Sequence, residues 1–336
     1  MNKFINCLKK KENSCFPIWF MRQAGRYLPE FRKIRSKNPN FINLCLDSDL
    51  SSEITLQPVK RFNLDAAIIF SDILMVPYAL GQEVKFIKNH GPKLSKFNVE
   101  KFLVKKKKNF EKALSPVYEA ISKTKKKLNK KKSLISFVGA PWTLLIYMLN
   151  IKDDNNNINQ QVLKNKKKEI KVILEGLNDF LKIHIKNQIN AGSDVVQIFD
   201  SWASLIPPSN MMQYCYKPNL QIVKFCKSKK IPTICFPKGI KNNYSKFLDI
   251  VQPDGLSLDY DLDPLWASKN LNNVCLQGGM DPKIMLLDDK KIKEEAEKYL
   301  KIFKNLPYIF NLGHGLLPET EPEKVKKLVN FVKNYE

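Results

Sequence analysis

The chain has 336 residues, 43% of them hydrophobic, enough for one large α/β domain with a filled core. Its longest apolar runs, such as 66–70 and 144–149, fall far short of the roughly 20 residues a membrane span needs, so no spanning helix is expected. The formal net charge is +24, yet only five of the 57 basic residues are arginine, and the lysines fall in runs such as 105–108, 125–127 and 166–168; this reads as solvated helix faces, not as a nucleic-acid surface.

Short apolar runs recur between longer amphipathic stretches, the pattern of repeated β-α units. The first, 18–21, leads into Arg22 and Arg26, and the connection after it has room for two helices. The second, 66–70, ends in Ser71 and Asp72 and is followed by a strand-like stretch, 83–87, read as a hairpin. The third, 134–138, runs into Gly139-Ala140-Pro141-Trp142 and a helix carrying Tyr147. The lysine- and asparagine-rich stretch 153–168 reads as a solvated helix or loop. Beyond it, Ile170, Val172, Ile173, Leu177, Phe180, Leu181 and Ile185 mark a helix buried along one face.

The fourth run, 194–199, meets Asp200-Ser201-Trp202, and the fifth, 232–236, meets Lys238. The sixth, 255–259, carries Asp259 with Asp261 close behind; the seventh, 274–277, meets Gly278-Gly279; the eighth, 308–312, meets His314. No Pro/Gly/Ser-rich linker interrupts the series. The expectation is one domain over 1–336, a single (β/α)₈ TIM barrel with an extra hairpin after the second strand. In that fold the strand ends gather on one face, where active sites sit.

Residues 1–14 mix lysines with single apolar residues and lack the features of a secretory signal, so a cytoplasmic location is expected. The seven cysteines, an odd number with no CxxC pair, read as reduced and mostly buried. His90, His184 and His314 have no metal-ligand spacing, so no metal is expected.

Arg22 and Arg26 are four apart, and a helical turn would stack them about 6 Å apart. Their forked donors suit carboxylates, and a bridging anion would remove their repulsion. Asp72, set among apolar residues, reads either as a structural partner for an arginine or backbone amide, or as a carboxylate that stabilises a developing cation. Tyr147 taken alone is a core tyrosine as readily as a functional one. Ser201 reads more readily as a helix cap than as a ligand contact. The glycines flanking His314 allow close backbone approach. Lys238 could form a Schiff base in principle, a minor alternative. No GxSxG elbow, P-loop or GxGxxG follows a strand.

The segment 20–30, Phe-Met-Arg-Gln-Ala-Gly-Arg-Tyr-Leu-Pro-Glu, closely resembles the N-terminal signature of the uroporphyrinogen decarboxylase family, and 137–144 resembles its second signature. Stretches 65–74, 197–202 and 310–315 extend the likeness along most of the chain. The resemblance implies cofactor-independent removal of the four acetate carboxyls of uroporphyrinogen III, giving coproporphyrinogen III in haem synthesis, by a homodimer. It further implies that Arg22, Gln23, Ala24, Gly25 and Arg26 bind substrate carboxylates, that Asp72 faces the pyrrole N–H groups, and that Tyr147, Ser201 and His314 touch substrate. Gly279 stands where the family commonly carries asparagine. The enzyme rival, a corrinoid-linked methyltransferase of the same barrel lineage, should show zinc-ligand His/Cys spacing, and this chain does not.

Overall fold

The computed structural model describes residues 2–10, 16–87, 91–152 and 157–335; Cys15, His90 and parts of the 1–14 and 153–168 stretches lie outside them. Runs of Val, Ile and Leu without strict alternation suit strands covered on both faces. Seven of the eight expected runs form one all-parallel sheet: β1 (Ala66–Ile68), β4 (Ser133–Gly139), β5 (Val195–Asp200), β6 (Thr233–Pro237), β7 (Gly255–Leu258), β8 (Cys275–Gly278) and β9 (Tyr308–Ile309), paired in that order. The hairpin is present as β2 (Val84–Ile87) against antiparallel β3 (Gly91–Leu94).

The first expected strand shrinks to a bridge between Ile18 and Phe310, yet it still joins the two edges of the sheet. Phe310 N–H donates to Pro17 O at 2.8 Å and Trp19 N–H to Phe310 O at 3.3 Å, while on the other side Asp65 N–H donates to Ile18 O at 2.9 Å. The sheet therefore closes on itself. The connection from this strand to β1 holds three helices, Pro29–Lys37, Phe41–Leu46 and Ser48–Phe62, where two were expected.

Around the ring lie amphipathic helices whose apolar faces make the main core. In Lys167–Asn190 the buried stripe is Ile170, Ile173, Leu174, Leu177, Phe180, Leu181 and Ile185. Val172 is 40% exposed and does not belong to that stripe: two residues from Ile170, it sits on the far side of a 3.6-residue period.

A second, smaller core fills the ring, with Trp19, Ala66, Ile135, Val195, Ile234, Cys275 and Ile309 packed against Phe4, Cys7 and Leu8. These last three come from the helix Lys3–Lys10 and recur three and four apart, so one face of that helix plugs the N-terminal end of the barrel. The fit is close: a Cβ on Gly255, at the start of β7, would lie 2.9 Å from Leu8 Cδ2. Within the ring, Trp19 Nε1 donates to Gln277 Oε1 at 2.8 Å and Gln277 Nε2 to Ser257 Oγ at 2.8 Å, which partners the buried polar atoms. With one end plugged and the interior packed, the opposite mouth carries the polar side chains.

Candidate active site

At that mouth the first strand gives way to a turn at Met21 and Arg22, and Arg22 adopts a left-handed φ of 58°. A non-glycine residue there costs about 1–2 kcal/mol, so the surroundings must hold it. Asn311 Oδ1 accepts from Met21 N–H at 3.1 Å, and Leu316 N–H donates to Met21 O at 3.0 Å.

The expected helical turn through Arg22 and Arg26 is not formed. Residues 21–28 run as turns and bends, and the helix begins only at Pro29. Gln23 is the reason. Its fully buried side chain accepts from Phe20 N–H at 3.1 Å and donates to Ala66 O at 3.2 Å, while Tyr27 Oη donates to Gln23 O at 2.7 Å. Of the expected carboxylate-binding segment, Gln23 thus points into the protein, Ala24 and Gly25 are half-buried, and Arg22 and Arg26 are exposed. Arg32 fastens the far end by donating to Arg26 O at 2.8 Å.

Asp72 follows β1 and is half-buried. Its Oδ1 accepts from Leu74 N–H at 2.8 Å, and among the described residues it joins no ion pair. Burial pushes its carboxyl up to about 6, against the Leu74 amide and the Arg22 guanidinium, which pull it down. Tyr147 sits on the helix Pro141–Leu149 after β4, its hydroxyl also pushed up by burial, with Asp72 and Arg22 both acting on it. Asp72, Arg22 and Tyr147 therefore share one electrostatic neighbourhood.

His314 completes it. Burial, then Lys238 and Arg22, drive its imidazole down to about 3, so the ring is neutral at physiological pH. Gly315 N–H donates to His314 Nδ1 at 2.7 Å, which leaves the proton on Nε2 as a donor. Both flanking glycines are required by close approach, as expected. A Cβ on Gly313 would lie 2.5 Å from Tyr260 N, and one on Gly315 would lie 2.5 Å from Arg22 Cγ.

Ser201 caps no helix. The short helical turn Ala203–Leu205 takes Trp202 as its cap residue without a side-chain bond, and Ser201 stays half-exposed. Its loop is fixed from beneath by Asp200, a buried carboxylate pushed up to about 6 by burial and opposed by its hydrogen bonds from Thr143 Oγ1 (2.7 Å) and Asn219 Nδ2 (3.2 Å). Thr143 Oγ1 in turn accepts from Trp202 N–H at 3.2 Å. This network has no place in the sequence reading, although a carboxylate ending an apolar strand was a signal that partners must be near. Gly279, with φ of 108°, has its side-chain space taken by Tyr299: a Cβ would meet that ring at 2.7 Å, and Tyr299 Oη donates to Gly279 O at 2.9 Å. Among the described residues no three His, Cys, Asp or Glu side chains converge as a metal site. His184 lies apart, buried between helices, with Tyr118 Oη 3.0 Å from its Nδ1.

The family model described as uroporphyrinogen decarboxylase (URO-D) matches residues 1–335. A uroporphyrinogen decarboxylase of Orientia tsutsugamushi (strain Ikeda) is 44% identical over 345 residues, covering 100% of this chain and 99% of that protein. One of Rickettsia bellii is 43% identical over 324 residues, covering 95% of each. Among solved structures, a methyltransferase from Methanosarcina mazei superposes with a TM-score of 0.80 over 99% of this chain and 98% of that one; at 18% identity the likeness is of fold alone.

Proposed function

The chain belongs to the uroporphyrinogen decarboxylase family, and from that premise we propose that Arg22, Asp72, Tyr147, Ser201 and His314 form its active site, with Arg26 on the same turn, in one domain over 1–336. The reaction removes CO₂ from the four acetate arms of uroporphyrinogen III to give coproporphyrinogen III in haem biosynthesis. The observation that carries the residue assignment is the shared neighbourhood of Asp72 and Arg22 at the barrel mouth.

The chemistry suits these groups. A proton added to a pyrrole ring carbon beside the acetate arm makes the ring a cationic electron sink. The bond to the carboxylate breaks, CO₂ leaves, and the electron pair forms an exocyclic double bond. A proton then adds to the exocyclic carbon, which becomes the methyl, and the first proton is lost as the pyrrole is restored. Asp72, ionised above about pH 6, accepts from the pyrrole N–H and stabilises the cation, most effectively in a partly desolvated site. Arg22 and Arg26 hold carboxylates, and neutral His314 donates from Nε2. Anaerobic incubation with uroporphyrinogen III, followed by oxidation and chromatography, should yield the hepta- through tetracarboxylate porphyrins; folded protein that leaves the octacarboxylate intact would refute the assignment.

No helix among the described residues is long and apolar enough to cross a membrane, in keeping with a cytoplasmic site of action. We further propose a homodimer formed over the face beside the mouth after β7 and β8, where Tyr260, Leu265, Leu286 and Leu287 are exposed. Sedimentation at micromolar concentration should report twice the 39.0 kDa chain; a single-chain mass there rules the dimer out.

A further inference from the structure

Trp202, in the loop after β5, has its backbone tied to the helix that carries Tyr147. Its N–H donates to Thr143 Oγ1 at 3.2 Å and its carbonyl accepts from Trp142 Nε1 at 2.9 Å, and both partners lie on Pro141–Leu149. Trp142 in turn stacks on Tyr214, with centroids 5.0 Å apart and planes within 7°. Tyr214 belongs to the π-helical turn Met212–Tyr216, a rare form found mostly at functional sites. Loop and helix are thus locked together, and the two side chains meet across the joint. The rings of Trp202 and Tyr147 pack edge to face, with centroids 6.1 Å apart and planes at 64°, while Lys152 Nζ lies 4.6 Å from the indole centroid.

One polar atom in this packing is left over. Trp202 Nε1 is buried and has no hydrogen-bond partner among the described residues, whereas Trp19 Nε1 and Trp142 Nε1 donate at 2.8 and 2.9 Å. A buried donor without an acceptor is costly, so one kept inside an otherwise bonded network points to a bond made in another state. The polar group within its reach is the Tyr147 hydroxyl: burial pushes that hydroxyl up, and the Trp202 indole pulls against the shift. A phenol oxygen accepts and donates at once. With its oxygen accepting from the indole, the proton of Tyr147 is turned away from Trp202. Uroporphyrinogen offers pyrrole N–H groups as donors and carboxylates as acceptors, so a tyrosine set to donate meets a carboxylate.

We propose that Trp202 is a positioning residue for the decarboxylation: with substrate bound, its indole N–H donates to Tyr147 Oη and directs the tyrosine's own proton to a substrate carboxylate. The inference rests on the decarboxylase reading above.

The test is a double-mutant cycle in kcat/KM with uroporphyrinogen III, comparing the native protein, Trp202→Phe, Tyr147→Phe and the double variant. Each single change should lower kcat/KM about tenfold, the loss of about one hydrogen bond. The double variant should fall within about twofold of Tyr147→Phe, because the indole then has no hydroxyl to orient. Trp202→His, whose Nε2 can overlie the lost Nε1, should restore most of the activity when Tyr147 is present. Packing alone would instead make the two losses multiply to about a hundredfold, with no rescue by histidine, and that result overturns the proposal. So does a single variant as active as native. A second measurement leaves Trp202 unchanged, so it stands even where Trp202→Phe does not fold: with the product coproporphyrinogen III bound, the Trp202 indole N–H proton resonance should lie downfield of its position in Tyr147→Phe. Identical positions in the two complexes overturn the proposal. If the native protein forms no product, the decarboxylase reading fails and this inference with it; if the native protein turns over while the cycle is multiplicative, the inference alone fails.

Discussion

Asp72→Asn is expected to lower kcat by at least about a hundredfold while making the folded chain more stable at pH 8. The first half follows from the role of a fixed charge beside a developing cation, since removing one preorganised electrostatic partner typically costs about 10²–10³ in kcat. The second follows from the sign of the shift. Burial raises the carboxyl from 3.8 to about 6, so the folded chain binds this proton more tightly than the unfolded chain. Stability therefore falls as pH rises through that window, and above it the charged form carries a cost of at most about 3 kcal/mol. Asparagine removes the charge, and its oxygen can still accept from Leu74 N–H. A gain of about 1–3 kcal/mol at pH 8 should shrink toward pH 5, where Asp72 is protonated, as read by urea unfolding at both values. The native kcat/KM should decline as pH falls through about 6, and His314, already neutral, adds no limb of its own. Turnover within tenfold of native would remove Asp72 from the chemistry, and a variant less stable than native at pH 8 would contradict the burial cost.

Such a trade of stability for charge could be read from Phe70-Ser71-Asp72, where a carboxylate ends an apolar strand. The barrel was legible for a related reason: strands covered on both faces leave apolar runs that no amphipathic helix imitates. What stayed hidden depends on contacts distant in sequence. Gln23 turns the arginine segment away from helix by bonding to Ala66 O, 43 residues on, and spacing alone cannot register that bond. Ser201 has the composition of a cap but precedes only the three-residue turn Ala203–Leu205, which is tied to the Asp200–Thr143 network instead. The barrel plug is a different case. Phe4, Cys7 and Leu8 already carry helical spacing, but a short amphipathic helix does not say which surface it covers. Gly279 resolves similarly: the large side chain whose ring fills its place, Tyr299, comes from the next helix, Asp289–Ile302.

Arg22 connects these parts, and two substitutions should separate its charge from its shape. Arg22→Met removes the cation that pulls the Asp72 carboxyl down, so the acid limb of kcat/KM should move above pH 6 as kcat/KM itself falls about 10²–10³-fold. Arg22→Lys keeps a charge, so the limb should stay near 6, yet kcat/KM should still fall about tenfold because a point charge cannot reproduce the guanidinium fork. Both replacements meet the same left-handed backbone, φ 58°, so backbone strain does not distinguish them. Gly315→Ala provides an independent route, since its Cβ would lie 2.5 Å from Arg22 Cγ and must displace a chemically intact arginine. Its limb should shift in the direction of Arg22→Met if the position of the guanidinium is what matters. A limb that stays at its native pH in Arg22→Met would show that Arg22 does not act on Asp72 during turnover, and the clamp would then have to be assigned to Arg26 alone.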